Sequence, residues 1–321
     1  MLLPKKPECH GTATIVAQPP STGIGVVMRT AILLAALVGL GAAAGARAEP
    51  KFVPITPAAR SFTVGALTLT ALHDAQIVLP NDGKSFAVGV SPREVGKVLR
   101  AAGAPADRIA LSVNALLVRT DGRLILIDTG LGPQYHGELL ASLKVAGVVP
   151  GEVNEVLITH PHPDHVGGLL DAQGGLAFPN ATIRMASAAW TWMQQKGAPA
   201  MARSIATRVA TFEPGATIVP GIVSVSLPGH TPGHVGYEIT SGHSRLMYIG
   251  DIAHSSIVSL ARPQWSIQFD GDHVVAGETR RKTLSALART GEWVFSPHFA
   301  FPGVGHIAVA GSGFAWVPGS P

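Results

Sequence analysis

Residues 158–168 read Ile-Thr-His-Pro-His-Pro-Asp-His-Val-Gly-Gly, and no other run limits the possible folds of this chain as much. His160, His162, Asp164 and His165 fall within six residues, directly after the apolar segment Val156-Leu157-Ile158. A strand ending there would release all four side chains into one loop. Imidazole nitrogen and carboxylate oxygen are the donors a borderline divalent ion such as zinc prefers. Prolines stiffen the intervening steps. One histidine is usually a packing residue, but three with an aspartate in so short a run are hard to explain by packing.

The surrounding pattern alternates strands and helices. Residues 62–72 alternate as one strand would, with Thr63, Gly65, Leu67, Leu69 and Ala71 on one face. Ser91-Pro92-Arg93-Glu94 has the form of a capping box with proline in the first turn, opening a helix to about Ala102. Apolar runs at 113–119 and 123–127 flank Asp121-Gly122, a strong hairpin signal. Helical stretches are expected near 135–146 and 187–209, and strands at 153–159, 222–227, 235–240 and 245–250. A helix over 272–289 then precedes a strand at 293–296. Sites in open α/β layers form at the carboxyl ends of strands, which is where the candidate ligands fall.

The start of the chain reads as a leader. Met28-Arg29 precedes an apolar run from Ala31 to about Ala46, closed by the small-x-small pattern Ala46-Arg47-Ala48. That is the layout of a secretory signal peptide, and the run is short for a membrane span of about 20 apolar residues. Residues 1–48 are therefore expected to be removed, with Met28 a candidate true start, leaving 49–321 as one catalytic domain. The leader holds Lys5, Lys6, Arg29 and Arg47 against Glu8, so the remainder keeps 20 of 24 basic and 19 of 20 acidic residues. A near-neutral chain has no nucleic-acid footprint. The single cysteine, Cys9, leaves with the leader, so an exported product carries no disulfide.

The run at 158–168 resembles the His-x-His-x-Asp-His signature of the metallo-β-lactamase superfamily, and the resemblance extends over most of the chain after about residue 60. Leu227-Pro228-Gly229-His230-Thr231-Pro232-Gly233-His234 is similar to the family's second ligand loop. Ile249-Gly250-Asp251 is similar to its bridging-carboxylate segment and Ser296-Pro297-His298 to its last ligand. Gly250-Asp251-Ile252-Ala253-His254 and the tail from Phe301-Pro302-Gly303 to Pro318 resemble the methyl parathion hydrolase group in particular. The resemblance implies an α/β fold of the αββα sandwich type: two mixed sheets face to face, helices outside, metals at one edge. It also implies two divalent ions, zinc by preference. His160, His162 and His230 would hold one and Asp164, His165 and His298 the other, with Asp251 and a hydroxide bridging them.

The same resemblance assigns supporting roles. The family places its ligand at the first histidine of the Pro-Gly-His repeat, so His234 is expected behind the ligands. Asp128 would orient a ligand histidine through its outer ring N–H; the alternative is a turn aspartate capping its loop. His254 stands three residues after Asp251, where acyl-homoserine lactonases of the family often carry tyrosine. It is expected to act at the pocket with Asp251; the alternative is a surface polar residue. His73-Asp74 could line the site mouth or form an exposed loop pair. Residues 78–90 are a candidate lid. Trp190, Trp192, Met193, Trp265, Phe269, Phe299 and Phe301 divide between pocket and core.

A β-lactamase of the commonest type carries cysteine where Asp251 stands, which counts against that activity. The expected function is an exported hydrolase of neutral esters, either aryl esters or organophosphate triesters, using the bridging hydroxide. An acyl-homoserine lactonase is the alternative, and a non-catalytic metal-binding protein a further one. The expected partner is a small neutral ester, with neither nucleic acid nor a stable membrane anchor, and a homodimer is kept open. The expected location is periplasmic or secreted. Mass spectrometry of protein recovered from a periplasm should therefore show a new N-terminus at Glu49; an intact leader on soluble cytosolic protein would refute export.

Overall fold

The computed structural model describes residues 50–120 and 122–321; the expected leader and its cleavage site lie outside them. Alternating and β-branched runs over 51–212 build one mixed sheet. Its strands are β1 (Lys51–Val53), β2 (Ala58–Val64), β3 (Leu67–Pro80), β4 (Arg108–Thr120), β5 (Arg123–Ile127), β6 (Glu155–Leu157), β7 (Thr182–Ala186) and β8 (Val209–Phe212). The order is β1-β3-β4-β5-β6-β7-β8, with β2 also paired to β3. A second sheet takes β9 (Thr217–Val219), β10 (Ile222–Ser226), β11 (Val235–Ser241), β12 (Ser244–Tyr248), β13 (Trp293–Phe295), β14 (Val304–Ala310) and β15 (Gly313–Pro318), in order from β15 back to β9.

The two sheets share one core. Leu69, Leu116, Ile125 and Ile127 from the first sheet and Tyr237, Ile239, Leu246 and Tyr248 from the second belong to a single buried cluster. Each aliphatic side chain so buried contributes about 1.5–3 kcal/mol. Seven helices complete the described fold: α1 (Pro92–Ala101), α2 (Leu139–Val145), α3 (Pro163–Val166), α4 (Ser187–Trp192), α5 (Pro199–Ile205), α6 (Val258–Ala261) and α7 (His273–Thr290). Helix α2 packs on β2 and β3, α4 on β7 and β8, and α7 on β14. The result is the expected αββα sandwich. No helix among the described residues is long and apolar enough to cross a membrane.

Strand direction places the site. β5 and β6 run parallel, so both end at one edge of the first sheet. β10 and β12 each pair antiparallel with β11, and β13 runs parallel to β12. The three therefore also end together, and the loops that follow them meet those after β5 and β6.

Three local expectations are corrected. The stretch 62–72 is two strands, because the chain reverses at Gly65 (φ +57°) and Val64 pairs with Leu67. Alternation continues through so tight a turn, so period alone does not reveal it. The helical stretch 187–209 is broken. Met193–Gly197 forms a widened π turn and Pro199 starts a new helix. Residues 78–90 are an anchored wall rather than a lid. Val78–Pro80 completes β3, and the buried Phe86 bridges to Ile267.

Asp74 does not line the site mouth. A register shift in the β3–β4 pairing lies at this residue. Its buried carboxylate accepts the backbone N–H of Leu131 at 2.8 Å and of Leu139 at 2.9 Å, pinning the loop between them. Gly130 and Gly137 leave it room, since a Cβ on either would lie within 2.7 Å of the carboxylate. Burial pushes its pKa up from about 3.8 to about 7 against those two hydrogen bonds, helped by Asp164 and Glu138. The folded state then holds a proton that the unfolded chain has lost between roughly pH 4 and 7. The Asp74 contribution to stability therefore falls as pH rises through that window. Urea unfolding from pH 5 to 8 should show wild type losing stability relative to Asp74→Asn; parallel pH profiles would refute this.

Candidate metal centre

The loop after β6 and the short helix α3 deliver four of the converging side chains. Pro163 opens α3, and His165 Nε2 lies 3.8 Å from Asp164 Oδ1. His162 Nδ1 lies 3.0 Å from His160 Nε2 and 2.9 Å from His230 Nε2, which arrives on the loop after β10. His298, beyond β13, places its Nε2 3.6 Å from Asp164 Oδ2. Asp251, beyond β12, stands between the two groups. Its Oδ1 is 3.2 Å from His165 Nε2 and 3.1 Å from His298 Nε2. Its Oδ2 is 3.3 Å from His230 Nε2 and 3.6 Å from His160 Nε2.

These donors fit a divalent cation. His160, His162, His230 and Asp251 each offer one atom within 4.8 Å of all the others, as do Asp164, His165 and His298. Burial and neighbouring imidazoles push His160 and His162 well below the usual histidine range, which leaves neutral rings with free lone pairs. Burial opposes charge on Asp251, but His165, His298 and His160 outweigh it and hold the carboxyl well below its usual range. His165 Nε2 and Asp251 Oδ1 are buried with no hydrogen-bond partner among the described residues. Orphaned atoms of this kind are costly unless a cation meets them.

The outer ring nitrogens of His160, His165, His230 and His298 are engaged, which fixes which nitrogen of each faces inward. His160 Nδ1 meets Thr159 Oγ1 at 3.1 Å, and His298 Nδ1 donates to the Ser112 carbonyl at 2.9 Å. His165 Nδ1 donates to Asp128 Oδ2 at 2.8 Å. Asp128 sits in the left-handed region at φ +59°, unusual for a residue with a side chain. Its carboxylate also accepts from Thr159 N, Thr159 Oγ1 and the Tyr248 hydroxyl, which hold it there. His230 Nδ1 donates to Asp270 Oδ1 at 2.9 Å.

His234 lies behind the cluster. Its Nδ1 donates to the Leu227 carbonyl at 2.7 Å and its Nε2 accepts the Asp251 N–H at 3.0 Å. Burial, then His230, pulls its pKa down to about 3, so the ring is neutral as this bridge requires. Gly250 (φ +50°) permits the approach, since a Cβ there would lie 2.5 Å from His234 Nε2. His254 is buried, not a surface residue. Its Nε2 is 3.1 Å from Asp251 Oδ2, its ring stacks on His298 at 5.4 Å, and its Nδ1 has no hydrogen-bond partner among the described residues.

The aromatic residues divide. The rings of Trp192 and Phe269 lie edge-on to His162 at 5.9 and 6.4 Å, and Phe86 stands 6.2 Å from His254. Met193 and Phe299 are core, and Phe301 stacks on His73 at 5.0 Å. Sequence reasoning missed Asp270, Tyr248 and Arg280. Asp270 is 40 residues from the histidine it meets, and no short motif spans that separation. Tyr248, three positions before Asp251 on an apolar strand, was the one with a readable signal.

A model of the metallo-β-lactamase superfamily matches residues 108–298, more than half of the chain. The chain belongs to the metallo-β-lactamase superfamily. Among solved structures of superfamily hydrolases, it is similar to the dizinc quorum-quenching lactonase AidC, with 30% identity and a TM-score of 0.77 over 82% of this chain and 98% of that one. It is similar to the β-lactamase-superfamily hydrolase AbOPH at 30% identity and a TM-score of 0.75, over 83% and 98%. A probable metallo-hydrolase of Mycobacterium tuberculosis is 27% identical over 44% of this chain and 57% of its own length. The chain thus spans little more than half of that curated relative.

Replacing His234 by alanine would strand the Asp251 N–H in the interior. The unpaired group alone should cost about 1–3 kcal/mol in urea unfolding. A loss within about 0.5 kcal/mol, the range of surface substitutions, would show that the bridge carries no weight.

Proposed function

We propose that this protein is a hydrolase that holds two divalent ions, zinc by preference, and cleaves neutral ester-type bonds. One observation carries the reading: the buried Asp251 lies between two donor groups, with Oδ1 3.2 Å from His165 Nε2, Oδ2 3.3 Å from His230 Nε2 and both oxygens near His298. His160, His162 and His230 would hold one ion and Asp164, His165 and His298 the other, with Asp251 shared. Ions in such a pair polarise a substrate oxygen and lower the pKa of water.

The residues of the chain would supply the rest. Trp192, Phe269 and Phe86 form an apolar wall suited to an aryl or acyl group. His254, buried with its Nε2 3.1 Å from Asp251 Oδ2, is placed beside the shared carboxylate to act on a substrate or leaving-group oxygen. The chain beyond the leader has almost no net charge, which suits an aryl ester or a phosphotriester. Export rests on residues 28–48 alone. A lactone is the second reading. It is favoured by the 30% identity to AidC, described as a dizinc quorum-quenching lactonase.

One panel tests these readings: a nitrophenyl acyl ester, a methyl phosphotriester with a nitrophenol leaving group, a long-chain acyl-homoserine lactone and a penicillin. Elemental analysis should find about two transition-metal ions per chain, and a strong chelator should abolish turnover. Asp251→Asn should lower kcat/KM by far more than tenfold, or about 1.4 kcal/mol. Lactone turnover about a hundredfold above both aryl substrates, roughly 2.7 kcal/mol, would select the lactonase reading. Two bound ions with no turnover of any substrate would leave a metal-binding protein.

A further inference from the structure

Arg280 is among the largest fully buried side chains of the described structure, with 1% of its surface exposed. It lies inside α7, an element that contributes no candidate ligand. A buried guanidinium needs every donor met, and this one meets four acceptors. Nη2 donates to Asp270 Oδ2 at 3.0 Å. Nη1 donates to the carbonyls of Pro263 at 3.0 Å and Trp265 at 2.9 Å, and Nε donates to the carbonyl of Ile252. Ile252 follows Asp251 directly, and the opposite oxygen of Asp270 receives the His230 Nδ1–H.

The backbone ties the same parts together. Gly271 N donates to the His230 carbonyl at 2.8 Å and Asp272 N to the Gly229 carbonyl at 2.9 Å. A Cβ on Gly229 would lie 2.2 Å from Ala276 N, so the His230 loop rests directly on the start of α7. The other donor group is supported elsewhere. His165 is held by Asp128, just beyond β5, and His298 by the Ser112 carbonyl of β4; Asp128 also reaches His160 through Thr159, so among the ligand histidines only His230 leans on the α7 side.

We infer that Arg280 and Asp270 are positioning residues that set metal affinity at the His160–His162–His230 group, through His230, more strongly than at the other group. The physical chain is short. Arg280 offsets the Asp270 charge, so the carboxylate stays an acceptor. Asp270 then holds His230 with its proton on Nδ1 and its Nε2 lone pair facing inward. Lysine could keep the charge but not the forked reach to Asp270 and three carbonyls.

The inference rests on the two-ion reading, so the wild-type protein is the first arm of the test. The mature chain is loaded with zinc or cobalt and titrated with a graded chelator. Bound metal and cobalt absorption are followed together. Wild type holding fewer than two ions would sink the two-ion reading and this inference with it. With two ions in wild type, Asp270→Asn and Arg280→Lys should each weaken one ion about 10–100-fold, the usual range for a lost outer partner of a metal ligand. The second ion should change by no more than about threefold, and one set of cobalt bands should change much more than the other. Wild-type affinities in Asp270→Asn would overturn the inference. So would equal loss of both ions, or loss of folding in Asp270→Asn, either of which assigns the pair to general stability. If only Arg280→Lys fails to fold, Asp270→Asn decides.

Discussion

A carboxylate buried among imidazoles is the constraint from which most of the architecture follows. Asp251 can remain charged in the interior only because His160, His165, His230, His254 and His298 all approach it within 3.6 Å. Those histidines come from loops beyond β6, β10, β12 and β13. Such loops can meet only if both sheets present the ends of like-directed strands at a shared edge. The sandwich supplies that geometry, and its apolar core makes the arrangement affordable.

The histidines are held as firmly from behind as the site demands from the front. Asp128, Asp270, Thr159 and the Ser112 carbonyl each take one outer ring nitrogen. Each contact selects a tautomer and an orientation, so the inward nitrogens are ordered before any ion arrives. This pre-organisation has local costs. Asp128 adopts a left-handed backbone, and Gly250 and Gly229 allow approaches that no Cβ would permit.

The support is divided between the two halves of the chain. Residues of the first sheet and the loops after it hold His160, His165 and His298, whereas the segment 263–280 holds His230 and the residue after Asp251. The His230 arm of the shared site thus leans on a different part of the fold from the other ligand histidines. Nothing in the ligand motifs indicates this division, because it is made by side chains outside them.

The residues that converge at the site were legible because ligand chemistry is local. Three histidines and an aspartate in one short run, and single histidines or an aspartate after apolar strands, can be read from residue type and spacing. The hairpin that pairs Thr120 with Arg123 and the cap at Ser91 were legible for the same reason, since turn and cap chemistry depends on near neighbours. What the sequence left open depends on contacts distant in the chain. Asp270 looks like an ordinary loop charge and Arg280 like an ordinary helix charge until α7 packs against the His230 loop. Asp74 reads as a loop residue until Leu131 and Leu139 bring their amides to it. His254 could be surface or site until Phe86 and His298 close around its ring. Spacing along the chain decides which groups can meet within a loop; the packing of one sheet on the other decides which groups are buried together, and burial gives them their charge state and role.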